Sequence, residues 1–198
     1  AGATTAVIAP ETGEITGKNG TAVKVDLTTA DANAADYDAL ILPGGTGNAD
    51  AIRVDAPAVA LVKELKAADK AIGVICHGGW ILTDADLLKG VKLTSVANVK
   101  TDLVNAGANW VDEEVVVDSG FISSRTPADL EAFNAALVEE FAKKTLGRAP
   151  ASAFFASRAL RTPRQDNAAP TASTAARAAH SAQSGVSNAA STFGRFNA

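Results

Sequence analysis

Cys76 and His77 are adjacent, and Gly78-Gly79 follow at once. A thiolate is a nucleophile toward carbonyl carbon, and an imidazole beside it takes the thiol proton near neutral pH. Cys76 is the only cysteine in the chain, and the second histidine, His180, lies far downstream in sequence of a different composition. His77 must therefore supply the base for any Cys-His pair built within the first 146 residues. Paired glycines next to a nucleophile keep the turn free of side chains, so that backbone can approach a substrate. A second pair, Gly44-Gly45, ends another apolar run. Amides of Gly45 and His77 are the candidate donors to the oxygen of an attacked carbonyl. A lone cysteine is by type most often a small buried hydrophobe. The order apolar strand, Cys, His, Gly, Gly, helix points instead to a nucleophile at a turn.

The flanking elements must place these groups. Ala71-Ile72-Gly73-Val74-Ile75 is a short apolar run of the kind found in buried parallel strands, and a helix is expected from about Gly79 to Leu88, stopped by Gly90. Ala6-Val7-Ile8-Ala9, ended by Pro10, and Ala39-Leu40-Ile41-Leu42, running into Pro43-Gly44-Gly45, read the same way. Val23-Lys24-Val25-Asp26-Leu27 alternates and predicts a half-exposed strand, with turns at Thr12-Gly13-Glu14 and Lys18-Asn19-Gly20. Asp55 is positioned to cap a helix with Pro57 in its first turn and Val59, Leu61, Val62 and Leu65 at helical spacing. Further on come a short strand at Lys92-Leu93-Thr94 and a helix from Val99 to Ala106. Two strands follow, joined at Asp118-Ser119-Gly120, and then a helix opened by Pro127 with Leu130, Phe133, Leu137 and Phe141 on one face. Strands alternating with helices predict an α/β fold with a mainly parallel sheet. Ligands bind at the carboxyl ends of such strands, which is where Gly44-Gly45, the loop Thr46 to Asp50, and Cys76-His77 all fall.

Composition bounds the rest. A chain of 198 residues with 47% hydrophobic residues can hold one domain of ordinary core. No apolar run approaches the roughly 18 residues of a membrane span, and the first residues do not read as a signal peptide. One cysteine precludes an internal disulfide and fits a reducing compartment. Without methionine, residue 1 is not an intact translation start. The first 146 residues carry 12 Lys and Arg against 21 Asp and Glu; the remaining 52 hold six arginines and one acid, and 23 of them are Ala or Ser. This shift predicts a domain over 1–146 and a disordered or loosely packed tail over 147–198. The body has no basic stripe interleaved with aromatics, which argues against nucleic-acid binding.

Taken together, several motifs resemble the ThiJ/PfpI superfamily, in its intracellular protease I (PfpI-like) branch. They are Ile15-Thr16-Gly17-Lys18 with Val23 to Asp26, Tyr37 to Gly45, Ile75-Cys76-His77-Gly78, Leu103 to Asp112, and Ser123 to Leu130. The resemblance covers about residues 1–145. It implies a flavodoxin-like parallel sheet between helices, with Cys76 at a nucleophile elbow, His77 as its partner, and Gly44, Gly45 and Gly78 around the oxyanion and substrate. It also implies that Asp50, by residue type alone a solvated loop acid or helix cap, completes the triad from a neighbouring subunit of a dimer or hexamer. No metal and no cofactor are implied. The implied setting is cytoplasmic and stress-related, with a peptide or a small carbonyl such as methylglyoxal as substrate. Glutamine-amidotransferase relatives fit less well, because their downstream His-x-Glu pair is absent.

The chain departs from that layout at its start. Ala1 to Ile8 resembles the junction after the family's first helix together with its second strand, so the first strand, its helix and an acidic motif that touches the thiol are expected to be absent, leaving an inner place in the sheet. The alternative reading is therefore a non-catalytic fragment or stress-associated binding protein that retains the elbow.

Overall fold

The computed structural model describes residues 2–17, 20–146 and 191–195, the last as backbone. All of them belong to one compact unit. Strand β1 (Thr4–Ala9) is followed by a hairpin of β2 (Glu14–Thr16) and β3 (Ala22–Lys24), then by β4 (Leu27–Thr28) and β5 (Ala39–Leu42). Helices α1 (Thr46–Arg53) and α2 (Ala56–Ala67) lead to β6 (Ala71–Ile75), which ends in a 3-10 turn at Cys76–Gly79 and helix α3 (Trp80–Asp84). Next come β7 (Lys92–Leu93), α4 (Lys100–Asn105), β8 (Asn109–Trp110), β9 (Val115–Asp118), β10 (Phe121–Ser124) and α5 (Leu130–Leu146), and finally β11 (Ser191–Arg195). Among the described residues no helix is long and apolar enough to cross a membrane.

The main sheet has the order β4-β1-β11-β5-β6-β10-β9. Pairings β4–β1, β5–β6 and β6–β10 are parallel, as the apolar runs predict. The β9–β10 hairpin is antiparallel, with Phe121 opposite Asp118. Side-chain alternation splits the core. Leu40, Leu42, Ile72 and Val74 face one cluster with Leu61, Val62, Leu65, Ile81 and Leu82. Ala39, Ala71 and Ile122 face another with Phe133, Leu137 and Phe141 of α5. Two layers of helix thus cover the sheet, which is the expected α/β arrangement. Asp55 caps α2 by accepting from the Ala58 N–H at 3.0 Å.

Three expectations are revised. Val23 to Leu27 is not one strand but breaks at Val25-Asp26, where the chain passes from the hairpin to the main sheet. There the Asp26 N–H donates to the Val7 carbonyl, and its carboxylate accepts from the Val7 N–H. The helix expected from Gly79 to Leu88 ends at Asp84, because Asp86 adopts φ +55° and reverses the chain. Such a left-handed residue just past a helix satisfies its last carbonyls. The Leu87 N–H accordingly donates to the Leu82 carbonyl.

The third concerns the inner place in the sheet. It lies between β1 and β5, and β11 fills it, antiparallel to both. Residues 191–195 of the segment expected as a tail therefore form part of the sheet. The physical demand is plain: two adjacent inner strands expose backbone N–H and C=O groups that must be paired. The rest of that segment, 147–190 and 196–198, lies outside the described residues.

Gly73 sits at the middle of β6 under α5, and a Cβ there would overlap the Leu137 side chain. Gly73→Val should destabilise the domain by about 1–3 kcal/mol through overpacking. Urea denaturation should show a lower midpoint with unchanged slope.

Candidate active site

The register of β5 and β6 creates the site. Leu42 lies opposite Val74, so Pro43-Gly44 leaves the sheet beside Ile75-Cys76. The contact is close. A Cβ on Gly44 would stand 2.7 Å from the Cys76 Cβ, and one on Gly78 would stand 2.6 Å from the Leu42 carbonyl oxygen. Neither position has room for another side chain, which explains both glycines by packing. Gly45 adopts φ +92° and turns the chain into α1, whose first residue, Thr46, then faces the elbow.

Cys76 has φ +61°. This left-handed conformation costs an L-residue roughly 1–2 kcal/mol, and it projects the side chain away from the strand into the space above the sheet. The thiol is half-buried. Its Sγ lies 3.2 Å from Nδ1 of His77. The opposite ring nitrogen, Nε2, lies 3.3 Å from the Thr46 hydroxyl. The indole of Trp80 meets the imidazole edge-on, with ring centroids 5.5 Å apart. Trp80 is itself fixed. Its Nε1–H donates to Asp102 at 2.8 Å, and the Arg53 guanidinium stands 5.3 Å from its ring centroid while pairing with Asp84 at 2.8 Å.

Burial holds the His77 pKa below its usual 6.5. Among the described residues, no carboxylate hydrogen-bonds to His77 or Cys76 to oppose that shift. The sign follows: desolvation disfavours the imidazolium, so the ring is more completely neutral at pH 7 than a free histidine. A neutral ring can accept a proton. The expected long helix behind the thiol is instead the five-residue α3 after a 3-10 turn.

Of the residues singled out by sequence, the structure brings Cys76, His77, Gly44 and Gly78 together. Gly45 adjoins them as the cap of α1. Asp50 is an exposed residue one turn beyond Thr46 on α1, and within the chain it touches neither Cys76 nor His77. Thr46, Trp80 and Asp102 are additions. Trp80 directly follows the glycine turn, and Thr46 directly follows Gly44-Gly45. The Arg125 motif proves to be a brace: its guanidinium forks to Asp129 and also reaches Asp112, tying the end of β10 to the start of α5. That pairing holds the Asp129 carboxyl below the usual range.

A strained nucleophile between a parallel strand and a helix marks the α/β proteins that carry a nucleophile elbow. Within that class the affiliation is definite: residues 1–140 match the DJ-1/PfpI family, and the chain belongs to it. It is 46% identical over 133 residues to Deglycase PH1704 of Pyrococcus horikoshii, covering 67% of this chain and 77% of that one. It is 44% identical over 133 residues to Deglycase PfpI of Pyrococcus furiosus, with the same coverage. Among solved structures, a two-domain protein of Anabaena variabilis with DJ-1/ThiJ/PfpI-like and ferritin-like domains matches with TM-score 0.65 and 34% identity. The match covers 67% of this chain and 38% of that longer one. Schizosaccharomyces pombe DJ-1, at 22% identity and TM-score 0.58 over 68% of this chain and 76% of its own, shares the fold.

The strain at Cys76 is directly measurable. Glycine normally costs about 0.5–1 kcal/mol relative to alanine in regular structure. At a left-handed position the order should invert, so Cys76→Gly should be more stable than Cys76→Ala by about 1 kcal/mol. Equal or lower stability of the glycine variant in denaturant titration would contradict the strained turn.

Proposed function

We propose that the chain is a cysteine-dependent hydrolase of the PfpI type, acting on small reactive carbonyls as a glyoxalase or deglycase, or on peptide bonds. The observation that carries this is the 3.2 Å approach of Sγ to Nδ1 on a strained turn. The deglycase names of its relatives support it.

The chemistry follows from the geometry. Nδ1 of His77 takes the thiol proton, and Sγ forms a bond to the carbonyl carbon. The C=O π electrons move to oxygen, where backbone N–H groups of the Gly45 and His77 turns stabilise the developing charge. The proton on Nδ1 then passes to that oxygen, giving a hemithioacetal. With an amide substrate the same proton goes to the departing amine, and water cleaves the resulting thioester. Asp50, exposed on α1, is assigned to a neighbouring copy's site in a homo-oligomer, and the single thiol fits a cytoplasmic, stress-related setting. Cys76→Ser should abolish methylglyoxal consumption, and unchanged turnover would refute the proposal.

One observation favours a second reading, a binding protein without turnover: among the described residues no acid contacts the thiol. Iodoacetamide labelling of Cys76 across pH separates the two. In the enzyme reading, reactivity depends on a neutral His77, so its acidic limb should have a midpoint below 6.5, the direction set by burial. A thiol titrating like free cysteine, near about 8.5, with no histidine-dependent limb, favours the binding protein.

A further inference from the structure

Resting on that reading of the elbow, we propose that Thr46 is a positioning residue: its hydroxyl accepts the Nε2 proton of His77 and so keeps Nδ1, the nitrogen facing the thiol, free to act as the base.

A neutral imidazole carries one N–H, and its other nitrogen is the acceptor. Which nitrogen is protonated is set by the hydrogen bond the other makes. If the proton sat on Nδ1, the ring would face Sγ with a donor and could not take the thiol proton. A partner that accepts at Nε2 favours the tautomer that leaves Nδ1 free. In serine and cysteine hydrolases this partner is commonly a carboxylate or an amide. Here the atom at Nε2 is the Thr46 Oγ1, at 3.3 Å, and within the described chain it is the one hydrogen-bonding group there. On its other sides the ring meets Sγ at Nδ1 and the Trp80 indole, with ring centroids 5.5 Å apart.

The charged groups around the ring fit a neutral partner. Arg53 and Asp102 both engage Trp80, and Asp84 pairs with Arg53, so each of these charges has a partner other than the imidazole. A hydroxyl that accepts from Nε2–H holds that tautomer without adding charge. It therefore leaves the ring neutral, as burial also does, rather than stabilising imidazolium as a carboxylate would. Thr46 also retains its own hydroxyl proton. A carboxylate brought up by a neighbouring copy, such as Asp50, could accept that proton and lengthen the chain to imidazole, hydroxyl and acid.

Two substitutions test the role. Thr46→Val keeps the shape but removes the acceptor, and Thr46→Ser keeps the hydroxyl. Histidine 15N shifts at pH 8 report the tautomer directly, with no substrate needed. Wild type and Thr46→Ser should show His77 protonated at Nε2; Thr46→Val should show a mixture or the Nδ1–H form. In parallel, kcat with methylglyoxal should fall about tenfold or more in Thr46→Val, with KM little changed and recovery in Thr46→Ser. An unchanged 15N pattern in Thr46→Val overturns the proposal. A changed pattern in a protein whose wild type has no turnover upholds the positioning role and refutes the enzyme reading instead. A folded Thr46→Val variant is established by an unaltered amide spectrum away from α1 and the elbow.

Discussion

Two strand ends packed with no side chain between them set the terms for this molecule. Where β5 and β6 leave the sheet, Gly44 lies against Cys76 and Gly78 lies against the Leu42 and Pro43 carbonyls. The parallel register places these residues level with one another. Because the two turns touch, the backbone of the first lies within reach of a nucleophile on the second, and the helix that starts after Gly45 brings Thr46 to the imidazole 31 residues later in sequence. Any residue larger than glycine at either contact would part the turns and move the thiol relative to its surroundings. The left-handed backbone at Cys76 belongs to the same constraint. A strand entering a tight turn with its side chain raised must adopt it, and the packed sheet beneath supplies the stability that offsets the strain.

The electrostatic character of the site follows from what is near the imidazole and what is held away. Burial and the indole of Trp80 give His77 an environment that disfavours charge. Of the ions in this region, Arg53 pairs with Asp84 and stands over the Trp80 ring, while Asp102 accepts from the Trp80 indole N–H. A carboxylate in direct contact would raise the proton affinity of the ring and favour a standing thiolate–imidazolium pair. Here, among the described residues, the group at the second ring nitrogen of His77 is the Thr46 hydroxyl.

Much of this was legible in the chain. The runs Ala71 to Ile75 and Ala39 to Leu42 identify inner parallel strands because they are short, apolar and ended by glycine or by the nucleophile. Cys76, His77 and the flanking glycines are neighbours in sequence, so their juxtaposition needs only the turn. Thr46 and Trp80 were harder, since a threonine at a helix start and a tryptophan in an apolar run each have ordinary explanations. Their orientation toward His77 depends on how α1 and α3 pack, which no local pattern encodes. The early end of α3 was hidden for a related reason: Asp86, unlike glycine, gives little warning of a left-handed cap. Ser191 to Arg195 was the least legible element. One phenylalanine among Ser, Thr, Gly and Arg does not resemble an inner strand, and only the unpaired edges of β1 and β5 give it a place.

That place has a consequence for how the chain is made. Strand β1 lies at the start of the sequence, and its partner β11 lies at the end, with Thr4 opposite Arg195. Because β11 follows every other strand of the sheet in sequence, β1 pairs with it only after β5, β6 and β10 can already assemble with their helices. Contacts this distant in sequence close slowly. Until they close, β1 and β5 each present a bare edge of the kind that recruits foreign strands. Pairing of β11 with β1 and β5 thus decides when the sheet ceases to be adhesive.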